Sequence, residues 1–264
     1  LKKLELSQDE FSSLYKFSIK KEVEFLSTAF DIDSLDFLVD LGIKRIKIPS
    51  GEVTNFLLLR RAAQHKLPII LSTGMSSMKD IKNAVDTLLR FKVSKKKISI
   101  LHCTTEYPAP LSSLNLNCIQ TIKSEFKTEV GYSDHSEGVF AAPLAVSLGA
   151  TIIEKHFTKS RRLKGPDHSA SLEPKELEEI FTIIKKTEIA LGSSKKVINK
   201  NEVGNINPVR KSIVAKRTIS KGEIFSKDNL DVKRPGDGIS PMKWEKVIGK
   251  KAKVNFLTDD KITL

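Results

Sequence analysis

Three of the chain's five histidines fall between Gly131 and Pro174, in GYSDHSEGVFAAPLAVSLGATIIEKHFTKSRRLKGPDHSASLEP, and two of them close short apolar runs. TIIEKHF is β-branched and apolar until it reaches Glu154 and His156. These two share one face of a strand, because side chains alternate with period two. One unit earlier, EVGYSDH brings Ser133, Asp134 and His135 to a second strand tip. Projected from neighbouring strand ends, the imidazoles of His135 and His156 can converge although 21 positions separate them. Two neutral imidazoles with oxygen partners leave open positions on a divalent ion, which is what a Lewis acid needs. No cysteine lies in this stretch to call for zinc, so Mn2+ or Mg2+ is the expected ion. The competing reading makes each histidine a hydrogen-bonded core residue and nothing more.

Lys47 lies inside the apolar strand IKRIKIPS, on the face opposite Ile46 and Ile48. An inward lysine is costly to bury unless it meets an anion. With Ser50 close by and other hydroxyl-bearing strand ends around it, Lys47 reads as part of a phosphate or carboxylate cradle. The alternative is an outward lysine that snorkels to water beneath a helix. Glu52, Glu154 and Asp167 are carboxylates near the same tips, able to hold sugar hydroxyls or move a proton, and equally able to serve as ion-pair partners. Tyr107, in HCTTEYPAP, sits in a loop pinned by Pro108 and Pro110. There it would wall a pocket or anchor the loop.

These tips need elements to carry them. Ser7-x-x-Glu10 is a capping box that opens a helix running to about Lys20. Strand VEFLSTAFD follows, then a short helix after Asp33 that stops at Gly42. Next come strand IKRIKIPSGE, a helix over 55–65, strand LPIILSTGM, a helix over 76–91, strand ISILHCTTEYP and a helix over 116–126. The two histidine strands are joined by an Ala-rich helix over 138–148. Pro174 opens a last helix that Gly192 closes. Six strands, each followed by a helical stretch, predict a parallel sheet covered by helices, either doubly wound or closed as a (β/α)8 barrel. No Gly-rich dinucleotide loop follows a strand. Instead the strands end in polar residues: Ser27 and Thr28, Ser50 and Glu52, Ser72 and Thr73, His102 with Thr104 and Thr105. A site fed by many strand ends is the habit of a barrel. The fold expected for residues 1–192 is therefore α/β, a (β/α)8-type barrel of about six βα units. Two N-terminal units are unaccounted for, and the chain opens on Leu1 directly into a helix, as a fragment would. Residues 193–209 are polar and aperiodic, a linker. Residues 210–264 break into short β-rich pieces punctuated by Gly222, Pro235-Gly236 and Asp237-Gly238, which predicts a small second domain.

Composition narrows the function classes. The chain has 264 residues with 39% hydrophobic and 29% charged, an ordinary balance for a packed protein. No apolar run approaches the ~20 residues of a membrane span, and no signal-peptide pattern opens the sequence. Cys103 and Cys118 are not spaced as a metal or redox pair, so a reducing cytoplasm is the expected setting. The net charge of +13 raises the question of nucleic acid. Its lysines are scattered in twos and threes, aromatics make up only 6%, and no nucleic-acid motif is present. A solvated basic surface that helps steer small anions is the preferred reading.

FLSTAFD, IKIPSGE, ILSTGM, LHCTTEYPAP, GYSDHS, IIEKHFT and GPDHSASLEP together resemble the sialic acid synthase family over nearly the whole chain. KGEIFSKDNLDVKRPGDGIS resembles that family's antifreeze-like (SAF) domain. The resemblance implies an enzyme that condenses phosphoenolpyruvate with N-acetylmannosamine, releasing phosphate and giving N-acetylneuraminate. It implies His135 and His156 as ligands of Mn2+ or Mg2+, and Lys47, Thr28, Ser50, Ser72 and Ser133 as the phosphoenolpyruvate cradle. Thr105 stands where some members carry Asn. Glu52, Tyr107 and Asp167 match the amino-sugar side. Arg234 matches an arginine that one subunit's small domain lends to its partner, which implies a domain-swapped homodimer. GPDHSASLEP is closer to the neuraminate and legionaminate branches than to the pseudaminate branch, and legionaminate synthesis is the alternative activity. The family's first two units carry a glutamate, a lysine and a glutamine that this chain starts after. The expectation is a barrel that cannot close and an isolated chain with weak or no turnover. A non-catalytic sugar- or anion-binding remnant is the rival, and retention of both histidines with Lys47 argues against it.

Overall fold

The computed structural model describes residues 5–264. Ser7 caps α1 (Gln8–Lys20) reciprocally: its hydroxyl accepts from Glu10 N, and the Glu10 carboxylate accepts from Ser7 N. Free N–H groups of the first turn are thereby satisfied. Helix α2 (Ile32–Leu41) starts earlier than Asp33, because the Asp31 carboxylate accepts from Ser34 N at 2.7 Å and takes the cap. Gly42 ends it at φ 106°, a left-handed conformation that favours glycine.

The next elements alternate as the sequence requires: β1 (Ile46–Ile48), α3 (Phe56–Gln64), β2 (Ile69–Ser72), α4 (Met78–Arg90), β3 (Ile98–Cys103), α5 (Cys118–Phe126), β4 (Glu129–Asp134), α6 (Ala141–Ser147), β5 (Ile152–Lys155) and α7 (Pro174–Leu191). The five strands form one parallel sheet in the order β1-β2-β3-β4-β5, a half-barrel with helices on its outer face. One outward row per strand builds the core: Ile46 and Ile48, Ile69 and Leu71, Ile98 and Ile100, Val130 and Tyr132. Against it pack Leu58, Leu59 and Ala62 of α3, Ile81, Val85 and Leu88 of α4, and Ile119 and Ile122 of α5. The inward row carries Lys47, Ser72, Cys103, Ser133 and Glu154.

The expectation of six strands needs a correction. VEFLSTAFD runs extended, but only Thr28 pairs, as a single bridge to Lys47. It lies beside a three-residue edge strand, and Val23, Leu26 and Phe30 are exposed. A segment that buries so little of its apolar surface gains little from extending the ladder.

The chain divides at Gly192 into two compact units. In the second, residues 193–209 are not aperiodic: they hold two single-turn helices, α8 (Lys200–Val203) and α9 (Ile206–Val209). Asn199 and Glu202 form a capping box that starts the first of them. β6 (Ser212–Ala215) pairs antiparallel with β7 (Leu230–Lys233), and bridges join Ile219 to Phe256 and Ile224 to Lys251. The one-turn α10 (Trp244–Val247) closes over a separate core of Ile213, Ile219, Phe225, Leu230, Phe256 and Ile262. No helix of the described residues is long and apolar enough to cross a membrane.

Candidate active site

Period two decides the orientation of Lys47. Its neighbours Ile46 and Ile48 enter the core, so its own side chain points to the inside of the half-barrel, where it is 6% exposed. The snorkelling alternative is thereby excluded. Lys47 Nζ donates to Ser72 Oγ at 2.8 Å and faces Glu154 Oε2 at 3.3 Å. Glu154 Oε1 accepts the Ser133 hydroxyl at 2.6 Å. A buried ammonium without a counter-charge would be untenable. Here it has a carboxylate that remains 40% exposed, with a serine on either side. An ammonium has three protons to give, and an incoming anion can take over the carboxylate's place.

These groups open on a cavity of about 420 Å3, within the range of small-molecule sites. Thr28, Lys47, Ser50, Ser72, Thr105, Tyr107, Ser133, His135, Glu154 and His156 all line it, and the fold therefore brings together ten of the residues singled out in the sequence. Ser50 is held by Gly74, whose N–H donates to Ser50 Oγ at 2.9 Å. A Cβ on Gly74 would lie 2.0 Å from Thr105 Oγ1, so only glycine lets the β2 tip approach Thr105 this closely.

His135 Nδ1 is 2.7 Å from the Thr104 carbonyl. A carbonyl only accepts, so Nδ1 carries the proton and Nε2 keeps its lone pair for the cavity. Tyr107 hydroxyl, at 3.1 Å, is placed to donate to it, while Ser133 Oγ, 3.4 Å away, gives its one proton to Glu154. Burial pushes the His135 pKa down, against the raising pull of the Thr104 carbonyl and with a further lowering from His156. The ring is thus neutral at neutral pH. His156 lies 5.5 Å away between ring centroids at 74°, and Tyr107 stacks on His135 at 4.1 Å. Among the described residues no group of three or more His, Cys, Asp or Glu side chains is arranged to hold a metal ion. The donor set is therefore two imidazoles with space in front of them. That fits an ion that keeps open positions for oxygen ligands and does not fit a closed structural site.

Other expected residues lie elsewhere. Glu52 is outside the cavity lining, and its carboxylate accepts from Asn55 Nδ2 at 2.6 Å. Asp167 Oδ2 is 3.8 Å from His156 Nδ1, in an adjoining depression shared with Phe157, Pro166, His168 and Ser171. Arg234 belongs to the second unit, where its Nε donates to the Val209 carbonyl at 2.9 Å. His102, one of the polar strand-end residues, points outward, stacks on Tyr132 and bonds the Leu114 carbonyl.

Five lining residues carried no role from sequence: Phe30, Pro49, Gly51, Met75 and Cys103. Glu154 faces the cavity with His156, as their shared strand face requires, and there it meets Lys47. Cys103 pairs in register with Ser133 and lies 3.7 Å from His135 Nδ1. Burial raises its thiol pKa, so it presents a neutral S–H.

Residues 1–196 match the NeuB family, and residues 210–264 match the SAF domain. Over 262 residues the chain is 47% identical to the N,N'-diacetyllegionaminic acid synthase of Campylobacter jejuni, covering 99% of this chain and 78% of that protein. The protein of the same description from Legionella pneumophila is 42% identical, over 97% of this chain and 72% of its own length. Among solved structures, the N-acetylneuraminic acid (sialic acid) synthetase of Leptospira borgpetersenii in complex with citrate superposes with a TM-score of 0.73. It shares 39% identity over 76% of this chain and 70% of that one.

Proposed function

The chain belongs to the NeuB family, and from that premise we propose that it is a phosphoenolpyruvate-dependent nonulosonate synthase. The reaction joins C3 of phosphoenolpyruvate to the aldehyde carbon of an open-chain N-acetylated amino sugar. The new C–C bond uses the enol π-electrons, and the aldehyde oxygen ends as a hydroxyl after taking a proton. Water adds at C2, giving up a proton, and the C2–O bond to phosphate then breaks to leave the 2-keto acid and inorganic phosphate.

Lys47, with the hydroxyls of Ser50, Ser72, Ser133, Thr28 and Thr105, forms the seat for the enol phosphate and its carboxylate. An anion fixed in a preformed cradle spends little on reorganisation during the reaction. Arrival of that anion competes with Glu154 for Lys47 and frees a carboxylate beside C2, where it can take the proton of the attacking water. His135 and His156 would hold the Mn2+ or Mg2+, which when bound supplies Lewis-acid polarisation of the sugar carbonyl. Tyr107 covers both rings and keeps bulk water from that side, while Asp167 lies on the side left for sugar hydroxyls. Arg234 is assigned to the amino sugar, from the partner copy in a homodimer.

The observation that carries this reading is a buried lysine aimed into the same cavity as two imidazoles. The two legionaminic acid synthases favour a sugar with two acetamido groups, since their product carries two. N-acetylmannosamine, giving N-acetylneuraminate, is the second reading and draws on the sialic acid synthetase structure. Phosphate release from phosphoenolpyruvate, measured with Mn2+ and each sugar in turn, tests both. The expected result is turnover that is lost in His135→Ala and Lys47→Ala, with the higher kcat/KM for the diacetamido sugar. Binding of phosphoenolpyruvate without turnover on any amino sugar would mark a non-catalytic binder and end the proposal.

A further inference from the structure

β4 and β5 stop pairing at Asp134 and Lys155, which are direct partners in the register. His135 and His156 each come next, one residue past the ladder. The His135 carbonyl accepts from Ala109 N at 2.9 Å and the His156 carbonyl from Leu172 N at 2.9 Å, in two separate loops. Asp134 and Lys155 take the opposite face of their strands from the histidines, and their side chains are only 0% and 7% exposed. Lys155 Nζ donates to Asp134 Oδ2 at 2.8 Å and to the carbonyl of Ser136. Asp134 Oδ1 accepts from Ser136 N at 2.9 Å, from Ser136 Oγ at 2.6 Å and from the Tyr132 hydroxyl at 3.3 Å. One ammonium on β5 thus grips the residue before His135 by its carboxylate and the residue after it by its carbonyl, while standing next to His156 in its own strand.

An ion pair this deep is a poor source of stability, because desolvation offsets the attraction, and its best attested use is to fix register. We propose that Asp134 and Lys155 are a positioning pair that holds the His135 and His156 imidazoles at the separation from which both reach one divalent cation. The proposal rests on the reading of the two histidines as one site, and the test is arranged to separate the two. Mn2+ is titrated, by loss of the free-ion EPR signal, into the native protein, His135→Ala, Lys155→Arg and the uncharged double variant Asp134→Asn/Lys155→Met. Crystal structures of the native protein and the double variant give the ring separation directly.

The double variant is expected to keep a melting midpoint near the native one while its Mn2+ dissociation constant rises roughly 10- to 100-fold, the scale of outer-shell losses at metal sites. Its two imidazoles are expected to be displaced or disordered. Lys155→Arg, which keeps the charge, retains most of the native affinity. A double variant with native Mn2+ affinity and unmoved rings overturns the proposal and leaves the pair a merely structural one. Should native protein and His135→Ala bind Mn2+ alike, the metal reading fails and the ring separation alone decides: displaced rings uphold the positioning role, unmoved rings overturn it. If the double variant does not fold, Ser136→Ala removes one hydroxyl from Asp134, leaves both charges, and is judged by the same two measurements.

Discussion

Lys47 and Glu154 are unequal partners: the ammonium is buried and the carboxylate is 40% exposed. Removing the lysine leaves the carboxylate with water to solvate it, so folding loses little while the anion seat loses its charge. Lys47→Ala is expected to cut kcat/KM for phosphoenolpyruvate by about 100- to 1,000-fold, the cost of one preorganised electrostatic group, with a small change in melting midpoint. Equal activity of native and variant would remove Lys47 from the site. His135 gives a pH prediction. Its folded pKa lies below the ordinary value of 6.5, because burial opposes the charged form. Between those two values the unfolded chain takes a proton that the native ring refuses, so stability falls as pH drops from 6.5 toward the lowered pKa. Urea midpoints measured from pH 7.5 to 5 should decline more steeply for the native protein than for His135→Asn.

At the scale of elements, the β2 tip meets the loop after β3 through Gly74, and the contact leaves no room for a methyl group. Gly74→Ala places Cβ 2.0 Å from Thr105 Oγ1, and it is expected to displace Thr105 and lower phosphoenolpyruvate turnover. Adding Thr105→Ala removes the colliding atom, and the double variant is expected to recover part of the loss. No recovery would place the damage in the backbone instead. The helices behind the sheet answer to different rules. Ser77 caps α4, accepting from Asp80 N and receiving the Asp80 carboxylate in return. Ser77→Ala should cost about 1 kcal/mol of stability in denaturant unfolding and leave the kinetics unchanged.

At the scale of the whole molecule, two units each bury their own core. Residues 210–264 enclose Ile213, Phe225, Leu230 and Phe256 without help from the barrel core. Expressed alone they are expected to give a dispersed amide spectrum with the marginal stability of so short a chain. A collapsed spectrum would show that the small unit depends on the large one. The proposed swapped homodimer makes a further prediction. His135→Ala and Arg234→Ala, each inactive alone, should regain partial activity when unfolded together and refolded as mixed dimers. Mixing without any recovery would confine Arg234 to its own chain.

The sequence alone determined the alternation of strands and helices and which polar residues stand at the strand tips, though not which face Lys47 or His102 takes. Those follow from local periodicity, capping and turn chemistry, which act over a few residues: Lys47 between two isoleucines, His135 and His156 at the ends of apolar runs. What a local signal cannot carry is pairing between residues distant in the chain. The partnership of Lys47 with Glu154 depends on the order and stagger of five strands. The loss of the expected first strand has the same origin, because strand propensity counts only where tertiary burial of the side chains supports the ladder. Asp134 and Lys155 read from sequence as ordinary charged residues; only the tertiary structure buries them together behind the histidines, where among the described residues each is the other's sole counter-charge within ion-pair distance.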